Sequence, residues 1–100
     1  MSVYVDSLLV YNSASYRGTD SVQARRVGAR HGHRWCHLFA TTAGGRELHA
    51  FARRLGLRRE WFQGNHYDLT PTKREHALRL GAVSLDRKHA VAVWRAQRAA

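Results

Sequence analysis

The chain has 100 residues, 44% of them hydrophobic, with a formal net charge of +10 and a pI near 11.3. That length suits one domain able to bury a modest core without staples. Cys36 is the only cysteine, which excludes an internal disulfide and points to a reducing compartment.

The positive charge is carried almost wholly by arginine, since Lys73 and Lys88 are the only lysines. Planar guanidinium groups suit phosphates and carboxylates, so nucleic acid or another phosphate-bearing ligand is the expected partner. The plainer alternative is a solvated basic surface. Residues 1–20 lack a basic start and an uninterrupted apolar run, so no signal peptide is read there. The apolar runs are too short to span a bilayer, and the expectation is a soluble cytoplasmic protein without a membrane partner. Oligomeric state is not legible.

Taken in order, Ser2 to Asp6 reads as a first strand, with β-forming Val3, Tyr4 and Val5. Residues 7–11 extend it or begin a short helix. Asn12 to Asp20 reads as a mobile loop, and a short basic helix fits Val22 to Ala29. Trp35 to Ala40 is a second strand without a turn residue. Its Cys36 reads as a buried thiol sooner than a reactive one. Thr41 and Thr42 are placed to cap the next helix, with Gly44 and Gly45 weakening its first turn. From Glu47 to Leu55 an apolar stripe of Leu48, Phe51, Ala52 and Leu55 predicts a helix closed by Gly56. Leu57 to Gln63 reads as a third strand.

Thr70 and Pro71 then start a helix that ends at Leu80 before Gly81. Ala82 to Leu85 reads as a fourth strand. Asp86 caps a last helix over Arg87–Arg95, with Ala90, Val93, Trp94 and Gln97 on one side and a frayed tail beyond. No linker splits the chain. Alternating elements predict one small α/β domain over 1–100, with a mostly parallel sheet of about four strands and about three helices.

The densest chemistry lies in Gln63, His66, Tyr67 and Asp68, between a strand and a helix start, where open α/β sheets bind ligands. Parallel strands would bring Asp6 to the same edge. Asp6, His37, His49, Gln63, His66 and Asp68 are therefore the candidate catalytic residues. Acid and imidazole together can exchange protons or hold a divalent metal, the candidate cofactor. No HExxH or CxxC specifies a metal, and Asp68 can equally be a turn residue. His49 can equally be an inert helix-edge residue. Lys73 and Arg74 at the helix start, with Arg58, Arg59 and Tyr67, are candidate substrate-binding residues. Trp61 and Phe62 read as core. No GxSxG, P-loop or GxGxxG occurs.

The segments WCHLF, ELHAFARRLGL, REWFQGNHYDLTPTKR and ALRLGAVSL, taken in order, resemble the bacterial and phage domain-of-unknown-function family numbered 4031. VYVD at residues 3–6 resembles that family's opening strand. The resemblance implies a small α/β protein but no activity. Its polar motif positions fall on Asp6, His37, His49, Gln63, His66, Tyr67, Asp68, Lys73 and Arg74. It also implies an acidic residue after the HLxA segment, where this chain has Thr41 and Thr42, and a shorter segment than 12–34. Two expectations of function follow. One is a hydrolase of phosphoesters or nucleotides, with His66 as acid/base and Asp6 or Asp68 orienting it or holding metal. The other is a non-enzymatic nucleic-acid-binding module using Arg25, Arg26, Arg30, Arg34, Arg53, Arg58 and Arg59.

Overall fold

A computed structural model describes residues 2–12, 16, 21–43 and 45–99. Its elements are β1 (Val3–Val5), β2 (Leu9–Val10), α1 (Ser21–Ala29), β3 (Arg34–Ala40), α2 (Arg46–Arg54), a 3-10 turn (Arg59–Trp61), β4 (Tyr67–Leu69), α3 (Pro71–Arg79), β5 (Val83–Ser84) and α4 (Arg87–Ala99). Of the mobile loop predicted over Asn12 to Asp20, 13–15 and 17–20 lie outside the described residues, as does Gly44.

The sheet is organised around β3, whose Trp35, Cys36, Leu38 and Phe39 favour extended backbone. β1 pairs antiparallel with it through Val5↔Leu38, and β4 antiparallel on its other side through His37↔Asp68. β2 continues the β1 edge, pairing Leu9↔Trp35. From Val5 to Leu9 the chain takes four steps, whereas from Leu38 to Trp35 it takes three. The extra residue makes a bulge around Asp6, a feature that re-aims side chains. Only β5 runs parallel to its neighbour, β1.

The sheet is thus mixed, not mostly parallel. The reason lies in residues 57–66. Leu57 to Gln63 is not a strand, because consecutive Arg58, Arg59 and Glu60 cannot alternate between core and solvent. They form the 3-10 turn, while Leu57, Trp61 and Phe62 anchor it on the core. A tight turn then reverses the chain, with Gln63 N–H donating to the His66 carbonyl at 2.9 Å and Gly64 at φ +89°. β4 consequently enters antiparallel.

Residues of β3 alternate between two faces. Cys36, Leu38 and Ala40 join Val3, Val5, Tyr67 and Leu69 in a core closed by Leu48, Ala52 and Leu55 of α2 and Ala77 of α3. The expected stripe on α2 is therefore the buried one, and each large aliphatic side chain there contributes about 1.5–3 kcal/mol. On the opposite face Phe39 stacks on Trp94 of α4, ring centroids 4.2 Å apart.

The helix starts divide. Thr70 Oγ1 accepts from Lys73 N–H at 3.2 Å and Asp86 Oδ1 from His89 N–H at 2.9 Å, as expected of caps. Thr41 and Thr42 do not cap α2. The chain bends through them, and Gly45 is the N-cap without a side-chain bond. The described helices number four rather than three, because the basic segment 21–29 is helical. α4 runs on to Ala99, held by buried Gln97, whose Nε2 donates to the Ala40 carbonyl at 2.9 Å. Among the described residues no helix is long and apolar enough to cross a membrane.

Candidate functional site

His37 lies mid-strand on the outer face of β3, between two carboxylates brought in by the flanking strands. The bulge turns Asp6 toward it. Asp6 Oδ1 accepts the His37 backbone N–H and Oδ2 accepts from His37 Nδ1, both at 2.7 Å. On the other side Asp68 is its direct cross-strand partner. The shared site arises across β3, on the face of the sheet, and not at a carboxyl edge of parallel strands.

The tight turn supplies His66, whose ring meets that of His37 edge-on at 4.7 Å. His66 Nδ1 donates to Asn65 Oδ1 at 2.6 Å, and its Nε2 is 3.3 Å from Asp68 Oδ1. Gln63 Nε2 donates to Asp68 Oδ2 at 2.7 Å, and the Tyr11 hydroxyl to Oδ1 at 3.3 Å. One ligand atom from each of His37, His66 and Asp68 lies within 4.8 Å of the other two. Beside them opens a depression of about 250 Å³ lined by His37, Asn65, His66, Trp94 and Arg98.

Burial alone would lower the His37 pKa. The hydrogen bond and charge of Asp6, joined by the charge of Asp68, outweigh burial and raise it above 6.5. Burial would raise the Asp68 pKa, but the His66 hydrogen bond and charge, then Gln63, hold it below the ordinary value. The Cys36 thiol on the inner face is pushed up to about 12, first by burial and then by the Asp6 charge, with Arg74 opposing. It is buried, as its place in the strand suggested.

Of the sequence candidates, Asp6, His37, Gln63, His66 and Asp68 converge here. His49 and Tyr67 do not. They meet each other on the core face, His49 Nδ1 2.7 Å from the Tyr67 hydroxyl, and Tyr67 is 1% exposed. Lys73 Nζ donates to the Leu55 carbonyl at the end of α2. Arg74 Nε donates to the Asp6 carbonyl at 2.9 Å and its Nη2 to Ser84 Oγ at 3.0 Å, so it secures the bulge from behind. Arg58 pairs with Glu60 on the surface at 2.9 Å, and Arg59 lies over Phe62 at 5.1 Å.

The sequence marks Trp94 only as part of the last helix's packing side and gives Tyr11, Asn65 and Arg98 no role at the site. Trp94 and Arg98 are four residues apart and share one face of α4, a spacing legible once that helix is extended. Gln97 in an otherwise apolar stripe was a usable signal, since its second bond, 3.3 Å to the Asn65 carbonyl, holds the His66 turn. Tyr11 carried none.

The arrangement defines a small α/β protein with a two-histidine, one-carboxylate cluster on the outer face of a mixed sheet. Residues 20–97 match the family described as Protein of unknown function (DUF4031), and the chain belongs to that family. No curated protein and no solved structure matches it.

Proposed function

We propose that the protein hydrolyses a phosphoester or nucleotide, with water activated among His37, His66 and Asp68. The observation that carries this reading is the bracing of all three. Asp6, Asn65 and Gln63 each hold the far side of one of them, which leaves the near sides facing one another beside an open depression. Hydrolysis needs a group that takes the proton of the attacking water, so that a P–O bond to water forms as the leaving P–O bond breaks. It also needs positive charge near the phosphoryl oxygens, for which Arg98 is placed and toward which the +10 net charge draws polyanions. His66 has both ring nitrogens engaged, so the acid/base role expected of it alone is better shared with His37.

A second reading keeps the nucleic-acid-binding module. Arg25, Arg26, Arg30, Arg34, Arg53, Arg58 and Arg59 are all exposed, which supports phosphate contact. The experiment is a panel of phosphomonoesters, phosphodiesters and nucleotides, with short nucleic acids, for wild type, His66→Ala and Asp68→Asn. Turnover lost in both variants while binding persists supports the hydrolase. Tight, salt-sensitive nucleic-acid binding without turnover, unchanged in both variants, replaces it with the binding module.

A further inference from the structure

The hydrogen bonds around the cluster fix which ring nitrogens face one another. A carboxylate can only accept, so His37 donates from Nδ1 to Asp6 and presents the lone pair of Nε2. Asn65 Oδ1 likewise accepts from His66 Nδ1, which turns His66 Nε2 toward Asp68 Oδ1, 3.3 Å away. A proton on Nε2 holds such a pair as a hydrogen-bonded ion pair, and a metal cation that displaces the proton takes the same two atoms as ligands. The third acceptor, His37, has its ligand atom within 4.8 Å of both.

We infer that His37 Nε2, His66 Nε2 and Asp68 Oδ1 form a three-ligand site for a transition-metal dication of the zinc type, its remaining position open to the depression beside Arg98. Four considerations carry this. Zinc–nitrogen and zinc–oxygen bonds of about 2.0–2.1 Å in a tetrahedron put ligand atoms about 3.3 Å apart. The His66–Asp68 pair already has that separation, and only His37 has to close in.

Each ligand, secondly, has its own outer partner: Asp6 for His37, Asn65 for His66 and Gln63 for Asp68. Such partners set the tautomer and orientation of metal-binding side chains. Charge, thirdly, balances. Asp68 as ligand and Asp6 behind His37 supply two negative charges for a dication in a strongly basic chain. Lastly, three protein ligands and an open position suit a catalytic site, whereas structural sites are closed by a fourth.

Two imidazoles favour zinc, cobalt or nickel over magnesium and calcium, which prefer all-oxygen shells. Elsewhere among the described residues, His89 and Asp86 form an exposed pair without a third ligand. The inference rests on the same cleft as the hydrolytic reading and gives that cleft a cofactor. With a cation bound, His37 and His66 are ligands, and the cation takes over from them the activation of water. The two readings can fail separately.

The test is calorimetric titration of the chelator-treated protein with zinc, and with cobalt read by its d–d absorption. One equivalent should bind with the strong absorption of a four-coordinate site, and magnesium should not compete. His66→Ala and Asp68→Asn should each weaken zinc binding by about 100-fold or more, and Asp6→Asn, acting through His37, by about 10–100-fold. Asp86→Asn should leave it unchanged. Circular dichroism checks that each variant is folded, and His66→Gln replaces any His66→Ala protein that is not. Absence of stoichiometric zinc binding in the wild type, or binding unaffected by both ligand variants, overturns the site. Zinc bound as described without turnover of any phosphoester keeps the metal site and removes the hydrolytic reading. Turnover that survives chelation, with no zinc bound, does the reverse.

Discussion

The two faces of β3 carry different burdens. Cys36, Leu38 and Ala40 point into a core with no charged side chain, while Trp35, His37 and Phe39 face a layer where rings and carboxylates mix. β4 repeats the division within one step: Tyr67 is buried against His49, and Asp68 beside it belongs to the histidine cluster. Period-two alternation thus lets one short strand secure the fold on one side and present polar, titratable groups on the other. Stability and chemistry are separated by a single peptide unit.

The sharpest way to break this comparison is to truncate adjacent residues of β3. Leu38→Ala removes a fully buried side chain and should cost about 2–5 kcal/mol, read as a lower urea midpoint, while the histidine cluster keeps its chemistry. His37→Ala should cost much less stability yet abolish the metal binding proposed for the outer face. If the two variants lost stability equally, the faces would not be separable.

Gly64→Ala probes the turn between the faces. A Cβ there meets nothing within 4 Å, so only the backbone at φ +89° resists, at about 1–2 kcal/mol. The strain falls on the turn holding Asn65 and His66. Metal affinity should therefore drop further than stability alone would suggest, as calorimetry beside a thermal melt would show.

A smaller effect concerns pH. In the metal-free protein the His37 pKa is raised above 6.5, so the pair with Asp6 adds stability that is complete below that pH. It fades as pH rises through the raised value. Asp6→Asn should flatten that part of the stability–pH curve; an unchanged slope would remove the ion pair from the account. The smallest expected signal is on the inner face. Native Cys36, its pKa near 12 and the residue fully buried, should resist alkylation at neutral pH and react once the protein is unfolded.

Much of this is legible in the sequence. The α2 stripe, the Leu55-Gly56 and Leu80-Gly81 stops and the Thr70-Pro71 start are local signals, and each marks a real boundary. Strand direction is not local. It turns on a reversal at 63–66 and a one-residue bulge at Asp6, neither of which leaves a hydrophobic pattern. For the same reason sequence grouped His49 and Tyr67 with Asp68. Which of two neighbouring residues faces outward depends on register, and register is set by the partner strand. Asp6, His37, Gln63, His66 and Asp68 were recognisable by residue type, but their meeting across β3 was not. Arg98 falls where the sequence predicts a frayed tail although α4 continues through it, and Trp94 reads there only as part of that helix's packing side.

Whether the near sides of His37, His66 and Asp68 share a cation is read directly by anomalous X-ray scattering from crystals grown with zinc. One peak is expected beside the depression, about 2.0–2.2 Å from His37 Nε2, His66 Nε2 and Asp68 Oδ1, with Asp6 and Asn65 still bonded to the two rings. A peak at the exposed His89–Asp86 pair alone, or no peak in the cluster, would contradict it.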